Sequence, residues 1–252
     1  MKRSIKSLNG YTLAAIDGDV GTVEEFYFDD ETLTVRYLIV KTGYWWFGKK
    51  ILIPTKAVDN PDWESLKFPI NLTKEEVRNS PDIDTDKPVS RQQETELYNH
   101  FRRQNYWSPG AFSVGVWGLT GTVPLTTKRI PDNEHETKDK PEYDVHLRST
   151  KELTGYSIHG IDGKVGEVED FIIDDNTWKL DFFAIDTGSW LHGKKILLSP
   201  ECVKEISWSN SAIYVNMPVG NIENGPEYDP SNAVNVQHQN RLFDYYGRPH
   251  AD

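Results

Sequence analysis

Asp82-Ile83-Asp84-Thr85-Asp86 sets carboxylates on alternate positions, the spacing with which a calcium loop offers its first oxygens. The central Gly and closing Glu of such a loop are missing, so the pattern reads as an acidic turn without Ca²⁺. A second group of acids comes in pairs: Asp17, Asp29 and Asp30 return 145 residues later as Asp162, Asp174 and Asp175. All of them fall at expected tight turns, where Asp is favoured because its carboxylate bonds its own backbone. The seven histidines, at 100, 135, 146, 159, 192, 238 and 250, contain no i, i+4 pair that would grip zinc from one helix face. The single cysteine, Cys202, stands beside Val203 and reads as an inert thiol. It leaves no internal disulfide, which favours a reducing compartment. No phosphate-cradling glycine loop, nucleophile elbow or Ser/His/Asp signature is present. Gly115-Val116-Trp117-Gly118 is too short and too aromatic for a dinucleotide fingerprint. The expectation is a protein with no catalytic residues, no cofactor and no metal.

Aromatic side chains are the real excess. Trp45, Trp46 and Phe47 crowd a tip between Gly43 and Gly48, and at the matching place 145 residues on stand Trp190, Leu191 and His192. The shared Trp45 and Trp190 suit a plug at the end of a barrel, as large rings often do. Trp46 and Phe47 fit either that role or a protein contact, since a glycine-bounded tip that keeps extra aromatics is a natural anchor. The candidate partner-binding residues are therefore Trp46, Phe47, Trp45, Trp190 and Leu191. Lys49-Lys50 and Lys194-Lys195 follow the tips; they fit a role in blocking edge-to-edge association better than one in steering an acidic partner.

The elements that must position these residues are written twice. Between Leu8 and Pro54, 22 of 47 positions are identical to the residue 145 further on, without a gap. Isolated landmarks keep the register beyond that stretch: Trp63 with Trp208, Pro81 with Pro226, Gln92 with Gln237, Leu97 with Leu242. Each copy spans about a hundred residues, a size at which one core can fold alone. The expected division is a first domain over 1–107, a connecting stretch over 108–150 and a second domain over 151–252.

Within the first copy, Asp17-Gly18 between two β-rich runs predicts a tight hairpin. Leu33, Val35, Tyr37 and Ile39 then share one face of a strand. Further runs at Lys49–Ile53 and Leu66–Ile70 complete five or six short strands with turns between them, the pattern of a small antiparallel barrel. Thr73-Lys74-Glu75-Glu76 has the capping-box form and predicts a short helix ending before Pro81. Ser90-Arg91-Gln92-Gln93 opens a second helix, a helical arm whose Leu97 and Phe101 lie on one face. The corresponding arm of the second copy runs from Asn235 to Tyr246 with Leu242, Phe243 and Tyr246 in the matching places. In the connecting stretch, Gly110 to Gly118 mixes glycine with large apolar groups, and Pro131 to Pro141 is charged and reads as a flexible tether.

Charge narrows the partners. The chain carries 28 Lys plus Arg against 39 Asp plus Glu, and the deficit is spread over both copies. Neither copy has the positive field that phosphate demands, which argues against nucleic acid and anionic membrane surfaces. Apolar runs are far shorter than the roughly 20 residues needed to span a bilayer, and the basic start builds no secretory signal. The expectation is a soluble, cytoplasmic protein with no integral membrane segment.

The stretches Asp162-Gly163-Lys164-Val165-Gly166-Glu167-Val168-Glu169-Asp170-Phe171-Ile172-Ile173-Asp174-Asp175 and Asp186-Thr187-Gly188-Ser189-Trp190-Leu191-His192-Gly193-Lys194-Lys195-Ile196-Leu197 resemble the PRC-barrel domain. That module is shared by the cytoplasmic part of the photosynthetic reaction-centre H subunit and the C-terminal domain of the ribosome maturation factor. The tandem arrangement resembles stand-alone bacterial two-barrel members. The first copy departs from the pattern at Lys41 and at Trp46-Phe47. The resemblance implies a mainly β fold of two tandem SH3-like antiparallel barrels, each followed by short helices, which hold partners and share no catalytic residues. The leading expectation is a non-enzymatic adaptor that binds a protein partner, with self-association as a homodimer also open. A small-ligand or metal sensor in the groove between the barrels is the alternative. An H-subunit-like role in electron transport rests on family analogy alone.

Overall fold

The computed structural model describes residues 1–43, 49–59, 61–81, 89–101, 145–188, 194–231, 234 and 236–247. Before and within the first copy lie β1 (Lys2–Ser4), α1 (Ile5–Leu8), β2 (Thr12–Ala15), β3 (Gly18–Asp29), β4 (Thr34–Thr42), β5 (Lys50–Pro54), β6 (Lys67–Pro69), α2 (Lys74–Arg78), β7 (Val89–Ser90) and α3 (Arg91–His100). The second half follows with β8 (Val145–Ser149), α4 (Thr150–Leu153), β9 (Ser157–His159), β10 (Lys164–Asp174), β11 (Leu180–Asp186), β12 (Lys195–Leu198), β13 (Val203–Ser207), β14 (Ala212–Val215), α5 (Val219–Glu223) and α6 (Val236–Tyr246). The fold is mainly β, with two seven-stranded sheets and a few short helices.

Tight local signals build the meanders. Ala15 pairs with Gly18 across the first hairpin, where Gly18 takes φ +123, a conformation that glycine adopts freely. From there β3 pairs with β4 and β4 with β5, as β10 does with β11 and β11 with β12. Each copy also holds one parallel pairing, β2 with β6 and β9 with β14, made when the chain returns to the strand that opened the copy. Gly21 and Gly166 recur for a steric reason. A Cβ on either would come within 2.1 or 2.2 Å of the carbonyl oxygen of Lys41 or Asp186 on the neighbouring strand.

The two sheets are not closed units. Strand β1, ahead of the first copy, pairs with β10 of the second, placing Lys2, Arg3 and Ser4 opposite Asp174, Ile173 and Ile172. Strand β8, ahead of the second copy, pairs with β3 of the first, placing Leu147, Arg148 and Ser149 opposite Asp29, Phe28 and Tyr27. Every one of these partners keeps the 145-residue register, so the exchange is reciprocal and pseudo-two-fold. A bridge between Thr34 and Lys179 lies on the same pseudo-axis: Val35 N–H donates to Trp178 O and Leu180 N–H to Leu33 O, both at 2.8 Å. Leu33 and Trp178 take positive φ, 51° and 59°, uncommon for side chains of this size; the inter-copy hydrogen bonds hold them there. Leu33 thus sits in a turn just before β4 and not at the head of the predicted strand stripe.

One core runs through both copies. Phe28 and Phe171, at equivalent places, meet with ring centroids 6.5 Å apart, and Trp178 lies 6.4 Å from Phe26 and 6.0 Å from Phe68 of the other copy. The arms dock as their apolar spacing predicts. Leu97 and Phe101 are buried beside the first sheet, while Leu242 and Phe243 close a separate cluster over Phe182 and Leu197. Because an arm covers the outer face, β4 and β11 are buried on both sides; Phe183 and Ile185 point into the core, Phe182 and Ala184 under α6. The predicted capping box is present, with Thr73 and Glu76 bonded reciprocally at the start of α2.

On either side of residues 102–144, α3 packs beside β7 of the first sheet and β8 joins that same sheet, pairing with β3 and β7. The chain passes between the sheets at two short crossings, from α1 to β2 and from α4 to β9. The Gly110–Gly118 and Pro131–Pro141 segments, like Asp82–Asp86, lie outside the described residues.

Candidate interaction site

All five tip residues singled out above, Trp45, Trp46, Phe47, Trp190 and Leu191, lie outside the described residues. Their stems are described and match. Thr42 closes the first with its N–H and hydroxyl both on Lys49 O, at 3.0 and 2.9 Å. Thr187 closes the second on Lys194 O, at 3.2 and 2.7 Å.

The paired lysines behind the tips have partners of their own. Lys194 Nζ donates to Glu223 O and Gly225 O, both at 2.8 Å, satisfying carbonyls at the end of α5. Lys195 lies 2.6 Å from Glu169, and Glu24 lies 3.9 Å from Lys50 and 3.4 Å from Lys41. The β12 edge that these lysines were expected to shield is covered instead by the chain itself, with Tyr228 N–H on Lys195 O at 2.7 Å.

The repeated acids divide into three uses. Asp29 and Asp174 hold their own turns, accepting from Thr32 N–H at 2.7 Å and from Thr177 N–H at 2.9 Å. Asp17 and Asp162 reach across to another element, taking the first N–H of α2 at Lys74 (2.8 Å) and of α5 at Val219 (2.7 Å). Asp30 and Asp175 tie the copies together, binding Arg148 at 3.5 Å and Arg3 at 3.1 Å. Each arginine, carried on the strand lent to the other sheet, also stacks on a tryptophan of its own copy: Arg3 sits 3.8 Å from the centre of a Trp63 ring and Arg148 4.3 Å from Trp208.

Glu25 and Asp170, equivalent and buried, close the joint. Asp170 accepts from Ser4 Oγ and from Lys6 N–H at 3.1 Å; Glu25 accepts from Ser149 Oγ. Burial pushes both carboxyls above their ordinary range, against the pull of those serine hydrogen bonds. Asp174 goes the other way. Burial would raise it, but the N–H of Thr177, the Lys2 ammonium and the N–H of Asn176 together bring it down to about 2.

Among the described residues, open clefts flank this joint. One of about 600 Å³ lies at the base of the second tip, over Gly166 and Thr187. Another of about 620 Å³ runs beside Asn9, Glu25 and Asp170, sharing Lys6 and Thr154 with the first. A third of about 750 Å³ lies between the copies, with Trp63 and Trp178 in its walls and Asp175, already paired with Arg3, beside them. Among the described residues no group of three or more His, Cys, Asp and Glu side chains is placed to hold a metal ion.

The residues that sequence reasoning missed are those of the joint. The signal is present, since Arg3-Ser4-Ile5-Lys6 repeats as Arg148-Ser149-Thr150-Lys151, ahead of the ungapped stretch from Leu8.

The PRC-barrel domain model matches twice, at residues 2–76 and 148–222, together more than half of the chain. The chain belongs to the PRC-barrel family. Both matches begin within the exchanged strands, so the first family unit takes in β1 and the second the end of β8, from Arg148. PRC-barrel domains often serve as protein-interaction modules. A search of curated proteins finds no match to this PRC-barrel chain. No helix among its described residues is long and apolar enough to cross a membrane.

Proposed function

We propose that this PRC-barrel protein is a non-enzymatic two-barrel adaptor that holds a protein partner through its aromatic tips, chiefly Trp46 and Phe47, with Trp45, Trp190 and Leu191 contributing. The observation that carries the reading is the reciprocal strand exchange, which joins the copies through matching elements and leaves equivalent stems under both tips. The perturbed buried carboxyls, Glu25 and Asp170, are spent on that joint. The arms, whose apolar stripes would otherwise suit exchange between chains, are docked on their own sheets. Buried aromatic anchors dominate interface energies, and truncating one commonly costs about 2 kcal/mol or more, roughly a thirtyfold loss of affinity.

Trp46→Ala and Phe47→Ala test the proposal. Both variants are expected to keep the parent's melting temperature and to lose capture of the partner or, if the partner is a second copy, to shift sedimentation toward monomer. Lowered melting temperature with capture intact would place these rings in the protein's own core and overturn the tip as the contact. The second reading, a small ligand in the cleft between Trp63 and Trp178, is favoured by that cleft's volume of about 750 Å³ and its two indole walls. It predicts loss of function on Trp178→Leu with the tip variants unaffected.

A further inference from the structure

In the first copy a carboxylate is buried under the arm where the second copy has none. Glu94 on α3 is fully buried, accepting a hydrogen bond from the Tyr37 hydroxyl of β4 at 2.9 Å. Its other oxygen lies 2.9 Å from His146 Nε2 of β8, and that imidazole is itself 2 % exposed. The His146 carbonyl accepts from Asp30 N–H at 3.0 Å, fixing the strand that carries the ring. At the matching places the second copy has Gln239, Phe182 and Met1, and α6 docks by Leu242 and Phe243 against Phe182. The two arms therefore share a docking geometry but not a docking chemistry.

A buried carboxylate is stable only while donors satisfy it, and here they come from two different strands of the sheet. At 2.9 Å the imidazole nitrogen and the carboxylate oxygen have room for one proton between them. A second proton leaves Glu94 neutral against a cationic ring, which puts net positive charge into a buried site; undocking the arm returns both groups to water. Among the described side chains, the titratable and charged groups on the elements around Glu94 are Asp19, Glu24, Glu25, Tyr27 and Asp29 on β3 with Asp30 just after it, Arg36 and Lys41 on β4, Arg148 on β8, and Glu96 and His100 on α3 itself. Asp19 is paired with Lys67, Glu24 with Lys41 and Lys50, and Glu25 with Ser149. Asp30 and Arg148 neutralise each other at 3.5 Å, and His100 is engaged with the Glu76 carbonyl at 2.8 Å. Arg36 donates to the Thr32 hydroxyl at 3.1 Å and Asp29 accepts from Thr32, while Glu96 is exposed. We propose that Tyr37, Glu94 and His146 form a proton-operated latch that keeps the first helical arm docked near neutral pH and releases it on acidification. Release uncovers Leu97, Phe101 and the apolar sheet face beneath them.

Amide hydrogen exchange on the intact protein, corrected for intrinsic rates and followed from pH 7 downward, tests this. Protection of α3 is expected to fall about tenfold per pH unit for each proton taken up on release. In the variant Tyr37→Phe, Glu94→Gln, His146→Met, which carries the second copy's residues, the arm should stay protected at all pH values. Should that variant fail to fold, Glu94→Gln alone, with the His146 ring proton followed by NMR, makes the same distinction: the latch predicts a titration displaced from the parent's and a flattened α3 response. An α3 profile in the parent that does not change with pH, or an unchanged α3 profile in either variant, would overturn the latch.

Discussion

Glu25 and Asp170 show how single side chains carry the joint between copies. Each is buried to receive a serine hydroxyl from the strand lent by the other half, and burial holds each carboxyl above its ordinary range. A group whose pKa is raised by folding contributes its full stability below the unfolded pKa and loses it as pH rises through the folded value. The double variant Glu25→Gln, Asp170→Asn should therefore gain stability relative to the parent as pH is raised from about 4 to about 7, the window that opens at ordinary carboxylate values. Thermal melts of the two proteins side by side measure the difference. A gap that stays constant or moves against the variant would show that these carboxyls are not raised. Asp174, held down to about 2, acts with the opposite sign and steadies the fold above the ordinary carboxylate range.

At the scale of elements, the arms are the parts whose energetics follow most simply from burial. Leu242 is fully buried in the small cluster over Phe182, so Leu242→Ala should cost about 2–5 kcal/mol, read as a lower denaturant midpoint. A loss below about 1 kcal/mol would mean that α6 is not docked. The arms, the capping box at Thr73 and the Asp17-Gly18 hairpin were all legible in the sequence because each rests on residues within a few positions of one another. The exchange of β1 and β8 was not. A three-residue strand shows no periodicity, and its partner, about 170 residues away for β1, leaves no local trace. Only the repeated Arg-Ser-x-Lys pointed to it. The two-sided burial of β4 was hidden for a similar reason, since the arm that covers its outer face arrives some sixty residues later in the chain. For the site, the matching stems at Thr42 and Thr187 were legible from the duplication, whereas the use of Asp30, Asp175, Arg3 and Arg148 to join the halves depended on the unseen exchange.

For the whole molecule, the duplication has become a pseudo-two-fold unit in which neither sheet is complete without a strand ahead of the other copy. Rings from both halves share one core, and the arginine–tryptophan stacks cross the joint in both directions. The adaptor reading depends on this construction, because matching stems can present two tips to one partner only if the halves stay together. Differential scanning calorimetry tests it most directly. The account predicts one unfolding transition, with calorimetric and van't Hoff enthalpies in agreement, displaced as a whole by Leu242→Ala in the second arm. Two separable transitions, with Leu242→Ala moving only one of them, would show that the copies fold independently and would contradict it.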